Sequence, residues 1–275
     1  MPARHPERIV CLTEESTETL YLLGEERRIV GISGYTVRPP RARKEKPRVS
    51  AFLSAKTEKI VALRPDLVIG FSDLQADIAR DLARAGLNVL IFNQRSVQEI
   101  LDVILALSSL VGVPDKGVRL IRELEAGLAK IRRGASQFRR KPRVYFEEWD
   151  EPMISGIRWV SELVELAGGE DIFSAQSHSQ AAAGRIVSDA TRVIQENPDV
   201  ILGSWCGKKF RPERVAARVG WGGIAAVKNG ELHEIKSADI LQPGPAALTD
   251  GVRQIYEILR RFSARASGTR ARAAG

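Results

Sequence analysis

Two pairs of adjacent carboxylates, Glu14-Glu15 and Glu147-Glu148, are the first groups in this 275-residue chain that could do chemistry. Neighbouring acids can act as a general acid/base set or accept hydrogen bonds from ligand hydroxyls and amides. At a helix N-terminus they also complement the dipole, and the sequence leaves these roles open. Cys11 and Cys206 are too few for a disulfide framework, and buried free thiols account for them more simply than a redox pair. His5, His178 and His233 are isolated, without H-x-x-H or H-E-x-x-H spacing, so no metal site is expected. No phosphate-cradling glycine loop and no G-x-S-x-G elbow is present, and an enzyme is not expected.

Binding chemistry is better represented. Tyr35, Phe71, Trp149 and Trp205 each fall just past an apolar run, and Phe52 sits in the apolar loop Ala51-Phe52-Leu53. In a chain only 6% aromatic this is a concentration, suited to a large, flat, partly apolar ligand. Stacking contributes about 0.5–1.5 kcal/mol per ring beyond area burial. Phe71 and Trp205 would also serve as core, and Trp159 and Trp221 are expected there.

The elements that would position these residues alternate between strand and helix. Apolar runs at 9–12, 29–32, 67–71 and 89–92 read as strands, with helices at 17–23 and 73–85 between them. Ser72-Asp73-Leu74-Gln75 and Ser96-Val97-Gln98-Glu99 fit capping boxes. Continuous apolar strands predict a parallel sheet covered on both faces. Two helices follow, the second from Pro114 to about Phe138, long enough for a strut. Past it the pattern restarts: Pro65, Asp66 and Gly70 recur 133 positions later as Pro198, Asp199 and Gly203, and Glu14-Glu15 as Glu147-Glu148. The predicted division is an N-terminal α/β lobe at 1–112, a connecting helix at 113–140, a C-terminal α/β lobe at 141–262 and a basic disordered tail at 263–275. In open parallel sheets ligands bind beyond the carboxyl ends of the strands, so a cleft between two such lobes is the expected site.

Composition excludes several classes. The chain is 44% hydrophobic and 28% charged, within the globular range, and no apolar run reaches the roughly 18 residues of a transmembrane helix. The net charge of +8 is concentrated in Arg38–Arg48 and in five arginines from Arg260 onward. Both stretches read as solvated flanks without the features of a specific nucleic-acid module.

The segments RIVCLTEESTETLYLLG, RIVGISGYTVRPP, KTEKIVALRPDLVIG, VSELVELAGGEDIF and GWGGIAAVKNGEL resemble the substrate-binding proteins of ABC importers for cobalamin, iron siderophores and haem. The similarity runs in order from Arg8 to Phe262 and is greatest to the cobalamin-binding branch. It implies the class III periplasmic-binding-protein fold: two Rossmann-like lobes with mainly parallel sheets, joined by a long rigid helix. It also implies a non-catalytic, monomeric binder with no cofactor of its own, holding a cobalamin-like corrinoid and docking on an ABC permease; the alternatives are a ferric siderophore, haem or other aromatic metabolite on the same scaffold, or an intracellular cofactor-handling protein or enzyme. Tyr35 matches a cleft tyrosine of those proteins, while Phe52 and Phe71 stand where they carry tryptophans. With Trp149, Trp205, Glu15 and Glu148 these form the expected ligand-binding set. Glu58 matches the glutamate that docks on the importer; in the second lobe Ala190 stands at the equivalent position, with Asp189 beside it as the docking candidate. The family is extracytoplasmic; the sequence as written shows no signal peptide, which by itself would suggest the cytoplasm.

Overall fold

The computed structural model describes residues 5–273, with side chains as far as Arg265. It divides into two compact units. The first takes Met1–Gln94, Gln98–Leu124 and Gln242–Pro245; the second takes Arg95–Val97, Glu125–Leu241 and Ala246–Gly275.

The first unit runs β1 (Ile9–Cys11), α1 (Glu14–Leu22), β2 (Ile29–Ser33), α2 (Ala42–Glu45), β3 (Arg48–Ser50), α3 (Thr57–Ala62), β4 (Leu67–Phe71), α4 (Ala76–Arg84) and β5 (Val89–Phe92). α5 (Val97–Leu110) follows, and then the start of α6 (Pro114–Ala135). The strands order as β3-β2-β1-β4-β5 and all their pairings are parallel. Alternate residues feed opposite faces, as a pleated strand requires. Ile9, Cys11, Leu67 and Ile69 pack with Leu20, Leu107 and Val111, whereas Val10, Leu12 and Val68 pack with Ile60, Ile78 and Leu82. α1 and α5 therefore cover one face and α3 and α4 the other, the two-sided burial expected from the apolar runs. The order reverses at β1, which has β2 on one side and β4 on the other, so the ligand crevice of such a sheet falls at the carboxyl ends of β1 and β4.

The second unit contains β6 (Arg143–Asp150), β7 (Met153–Ser155), α7 (Arg158–Leu166), β8 (Glu170–Asp171), α8 (Ser174–Ser177), α9 (Thr191–Glu196) and β9 (Val200–Gly203). It continues through α10 (Pro212–Ala216), α11 (Ala225–Lys228), β10 (Leu232–Glu234), α12 (Ser237–Ile240) and α13 (Val252–Ala273). Its sheet orders as β10-β9-β6-β7, parallel except for the β6–β7 pair, with β8 alongside β6. Tyr145, Ile201, Trp205, Phe210 and Trp221 centre one of its cores.

The structure redraws several expected boundaries. α6 stops at Ala135, 22 residues or about 33 Å long. The division between units falls inside it, after Leu124. Its first turns belong to the first unit because Lys116 pairs with Glu25 and Gly117 lies against the Ser108 side chain of α5, leaving no room for a Cβ. The basic stretch from Arg38 is partly structured: it forms α2 and β3, Arg38 pairs with Glu18, and Arg41 pairs with Glu26 and covers the Tyr21 ring. The segment from 263, expected as a disordered tail, continues α13 through Ala273; residues 274–275 lie outside the described part.

The internal repeat holds for the Pro-Asp turns, each of which starts a buried strand, β4 or β9. It does not hold for the paired glutamates. Glu14 and Glu15 open α1, whereas Glu147 and Glu148 lie within β6. β1 sets Ile9 opposite Leu67, but β6 sets Val144 opposite Val200, two residues out of step with the 133-residue repeat.

Candidate ligand-binding site

At the carboxyl edge of the first sheet, Thr13 leads from β1 into α1, and its hydroxyl donates to Glu15 Oε1 at 2.5 Å. Glu14 Oε1 accepts the amides of Val37 and Arg38 at 3.1 and 2.8 Å, which pins the loop after β2 and leaves Tyr35 61% exposed. Burial raises the Glu14 carboxyl to about 8 and Glu15 to about 7. In the loop after β3, Phe52 is half-buried and Leu53 is 67% exposed. After β4, Phe71 is buried beside Phe92, Ser72 turns the chain, and Leu74 is 58% exposed. Tyr35, Leu53 and Leu74 thus expose large apolar groups on loops after three strands of one edge.

The same edge carries polar atoms with nothing to bond. Glu15 Oε2, Thr36 Oγ1, Ser50 Oγ and Gln94 Oε1 are buried without hydrogen-bond partners; among the described side chains of this unit only Glu26 Oε2 joins them. Each of the four follows, or ends, a different strand. Such atoms are uncommon in folded proteins and cost about 1–3 kcal/mol each. The Gln94 amide group donates to Pro243 O at 3.0 Å, and Glu15 packs against Gly244.

In the second unit, a pocket of about 430 Å³ lies at the end of β6, lined in part by Asp150, Met153, Ile186, Trp205, Arg214 and Arg218. Trp205 borders it but is itself buried, edge-on to Phe210, with its indole N–H donating to Glu147 at 3.0 Å. Trp149 is half-buried, and the Lys208 ammonium lies 3.9 Å from its ring centre. Lys208 and Arg214 share the Asp150 carboxylate, which their charges hold below its ordinary range against the cost of burial. Glu147 is fully buried and receives both Arg218 nitrogens, at 2.5 and 3.0 Å, as well as the Tyr145 hydroxyl at 3.1 Å. Glu148 is bound by the buried guanidinium of Arg185.

The expected residues therefore divide. Tyr35 and Phe52 stand at the first edge with access to solvent, and Glu15 lies under it. Phe71 and Trp205 are buried supports, and Glu147 and Glu148 are committed to arginines and are not a general acid/base set. Cys11 is buried at the end of β1, its thiol pushed up to about 12 by desolvation, while Cys206 is exposed. No group of three metal-binding side chains occurs among the described residues. Glu58 is exposed in the first turn of α3. Asp189 is exposed too, but its carboxylate is taken up by the amide and hydroxyl of Thr191 at the head of α9.

Sequence reasoning missed Leu74, Gln75 and Gln94, and it missed the cations Lys208, Arg214 and Arg218. The last three were signalled by the basic run immediately past the Trp205 strand end. The sequence pattern places Gln75 in a capping box. Ser72 does accept the Leu74 amide, but the Gln75 side chain turns inward to other partners.

Two mainly parallel sheets with open carboxyl edges are the kind of α/β architecture that binds small ligands at those edges. The chain belongs to the periplasmic binding protein family, whose profile matches residues 9–238, and its members are non-catalytic. It is 26% identical over 262 residues to the vitamin B12-binding protein of Vibrio cholerae serotype O1, covering 92% of this chain and 89% of that one. Among solved structures it is similar to a periplasmic vitamin B12 binding protein of Vibrio cholerae (TM-score 0.73, 25% identity, 94% and 98% coverage). A periplasmic heme-binding protein from Roseiflexus sp. RS-1 shares the fold (TM-score 0.75, 24% identity, 92% and 99% coverage).

Proposed function

We propose that this protein captures a corrinoid outside the cytoplasm and delivers it to an ABC importer. The observation that carries the reading is the carboxyl edge of the first sheet. Tyr35, Leu53 and Leu74 offer apolar contact to a broad macrocycle, and the unbonded Glu15 Oε2 and Gln94 Oε1 lie beneath that surface, acceptors that its peripheral amide N–H groups would reach once the covering atoms shift. The similarity to vitamin B12-binding proteins supports the same ligand class. On this reading Tyr35, Phe52 and Glu15 belong to the binding surface, Phe71 supports it, and Glu58 is the docking carboxylate for the permease. Trp149, Trp205 and Glu148 contribute through the second unit. Asp189 would have to leave Thr191 to dock.

A second ligand class is favoured by the Asp150 cluster. Lys208 and Arg214 flank Asp150 at a pocket that Glu151 and Arg218 also line, so cations stand at its rim to meet the carboxylates of an acidic macrocycle such as haem or of an anionic ferric siderophore. Calorimetric titration with cyanocobalamin, haemin and a ferric siderophore separates the readings. Saturable heat with cyanocobalamin alone supports the first; saturation only by the acidic ligands would replace it with the second.

A further inference from the structure

One buried side chain joins the two loops that carry Leu53 and Leu74. Gln75 is completely buried. Its Oε1 accepts the Phe71 amide at 2.9 Å, and its Nε2 donates to the Phe52 carbonyl at 2.9 Å. One carboxamide therefore ties the end of β4 to the loop after β3. It lies directly over Gly70, where a Cβ would stand 2.7 Å from Oε1, so the clamp requires glycine at that strand position. On one side it seats the turn in which Ser72 accepts the Leu74 amide. On the other it holds the loop closed by the Ala51 amide donating to Ser54 O at 2.7 Å. Leu53 and Leu74, the two most exposed aliphatic groups of that edge, sit on the two segments so joined.

We propose that Gln75 is the positioning residue of the ligand edge, holding the loops of Phe52-Leu53 and Leu74 in the form that receives the ligand. This rests on the ligand reading above. The chemistry is particular to a group that donates and accepts at once, because the Phe71 amide needs an acceptor and the Phe52 carbonyl needs a donor. Leucine of similar size supplies neither. A neutral carboxylic acid supplies both, and a carboxylate supplies only the acceptor. With two loops free to wander, ordering them is charged against binding, so affinity falls without loss of any group that meets the ligand.

The test uses Gln75→Leu and Gln75→Glu in the full chain, with cyanocobalamin as the probe and backbone hydrogen exchange at Ala51 as a ligand-free readout. Gln75→Leu is expected to lose at least tenfold in cyanocobalamin affinity and to exchange the Ala51 amide at least tenfold faster. Gln75→Glu is expected to bind within threefold of the wild type at pH 4, below the ordinary glutamate pKa of about 4.3, and to weaken towards pH 9. Affinities are taken relative to wild type at each pH, since Glu14 and Glu15 in the same unit, and Glu18 beside them, change or carry charge over that range. Unchanged Ala51 exchange in Gln75→Leu, unchanged affinity there, or Gln75→Glu at pH 4 as weak as the leucine variant would each overturn the positioning role. If the wild type itself fails to bind cyanocobalamin, the corrinoid reading fails, and the exchange measurement still decides whether Gln75 holds the loops.

Discussion

Asp66 and Asp199 do the same work at the starts of two different sheets. Asp66 receives the amides of Glu7 and Arg8 at 2.7 and 3.0 Å while its own amide donates to Arg8 O. Asp199 receives the Arg143 amide at 2.9 Å while its own amide donates to Arg143 O, and Arg140 adds a bidentate guanidinium. In each case the carboxylate registers a first strand, β1 or β6, against the partner that follows the Pro-Asp turn. Replacing either by alanine is expected to destabilise the chain by about 1–2 kcal/mol, read as a lower urea midpoint. Asp199 should cost more because it also strands Arg140. A midpoint unchanged in both variants would remove the registering role.

Arg218 answers a fully buried charge. Arg218→Ala leaves Glu147 without its cation, a change that costs about 3–5 kcal/mol for a buried pair. Replacing both residues by apolar ones of similar volume is expected to cost much less. Urea denaturation of the single and double variants checks this, and a double loss equal to the sum of the two single losses would show that the pair is not coupled.

Glu14 and Glu15 make stability depend on pH. Both hold their protons more tightly folded than unfolded, at about 8 and about 7 against an ordinary 4.5, chiefly through burial. Their neutral forms therefore support the fold fully below about pH 4.5, and that support is lost as pH rises through 7 and 8 and the buried charges form. Glu15→Gln is expected to gain on the wild type between pH 5 and pH 9, by on the order of 3 kcal/mol at the alkaline end. A difference in thermal midpoint that stays flat across this range would contradict the assignment.

Tyr35 and Leu53 are mostly exposed and contribute little to the core. Tyr35→Ala and Leu53→Ala are expected to leave the thermal midpoint within 2 °C of wild type, a change of about 0.5 kcal/mol or less for surface sites. Each should weaken ligand binding by about 1 kcal/mol, a factor of roughly five. Calorimetry and thermal melts on the same samples separate the two effects.

Glu58→Ala is expected to leave ligand affinity unchanged and to slow association with the cognate permease, because an exposed rim carboxylate acts on encounter more than on retention. Surface plasmon resonance against the reconstituted transporter would show this as a lower association rate with nearly unchanged dissociation.

The strands of the first unit were legible because an apolar run at strand length has one satisfactory environment, the middle of a covered parallel sheet. Ile9 to Leu12 and Leu67 to Phe71 sit where hydrophobic patterning sends them. The Pro-Asp turns were equally plain, since proline restricts the residue before it and ends a helix locally, although the aspartates themselves act on Glu7, Arg8 and Arg143 from far along the chain. β3 was hidden inside a basic stretch whose charges satisfy one another only when Glu18 and Glu26 approach from elsewhere in the chain.

The candidate site was half legible. In the sequence a strand-end position marked Tyr35 as a candidate ligand group and an apolar loop together with the family resemblance marked Phe52; the structure gives both access to solvent. Patterning could not assign Glu147 to Arg218, Trp205 to the core, or Gln75 to the Phe52 loop. Those roles depend on which polar atoms meet across tens of residues, and a buried hydrogen bond or ion pair is specified by three-dimensional position. The amino-acid order alone determined where strands, turns and apolar faces lie; the tertiary structure decided which charges are spent within the protein and which surfaces remain for a ligand.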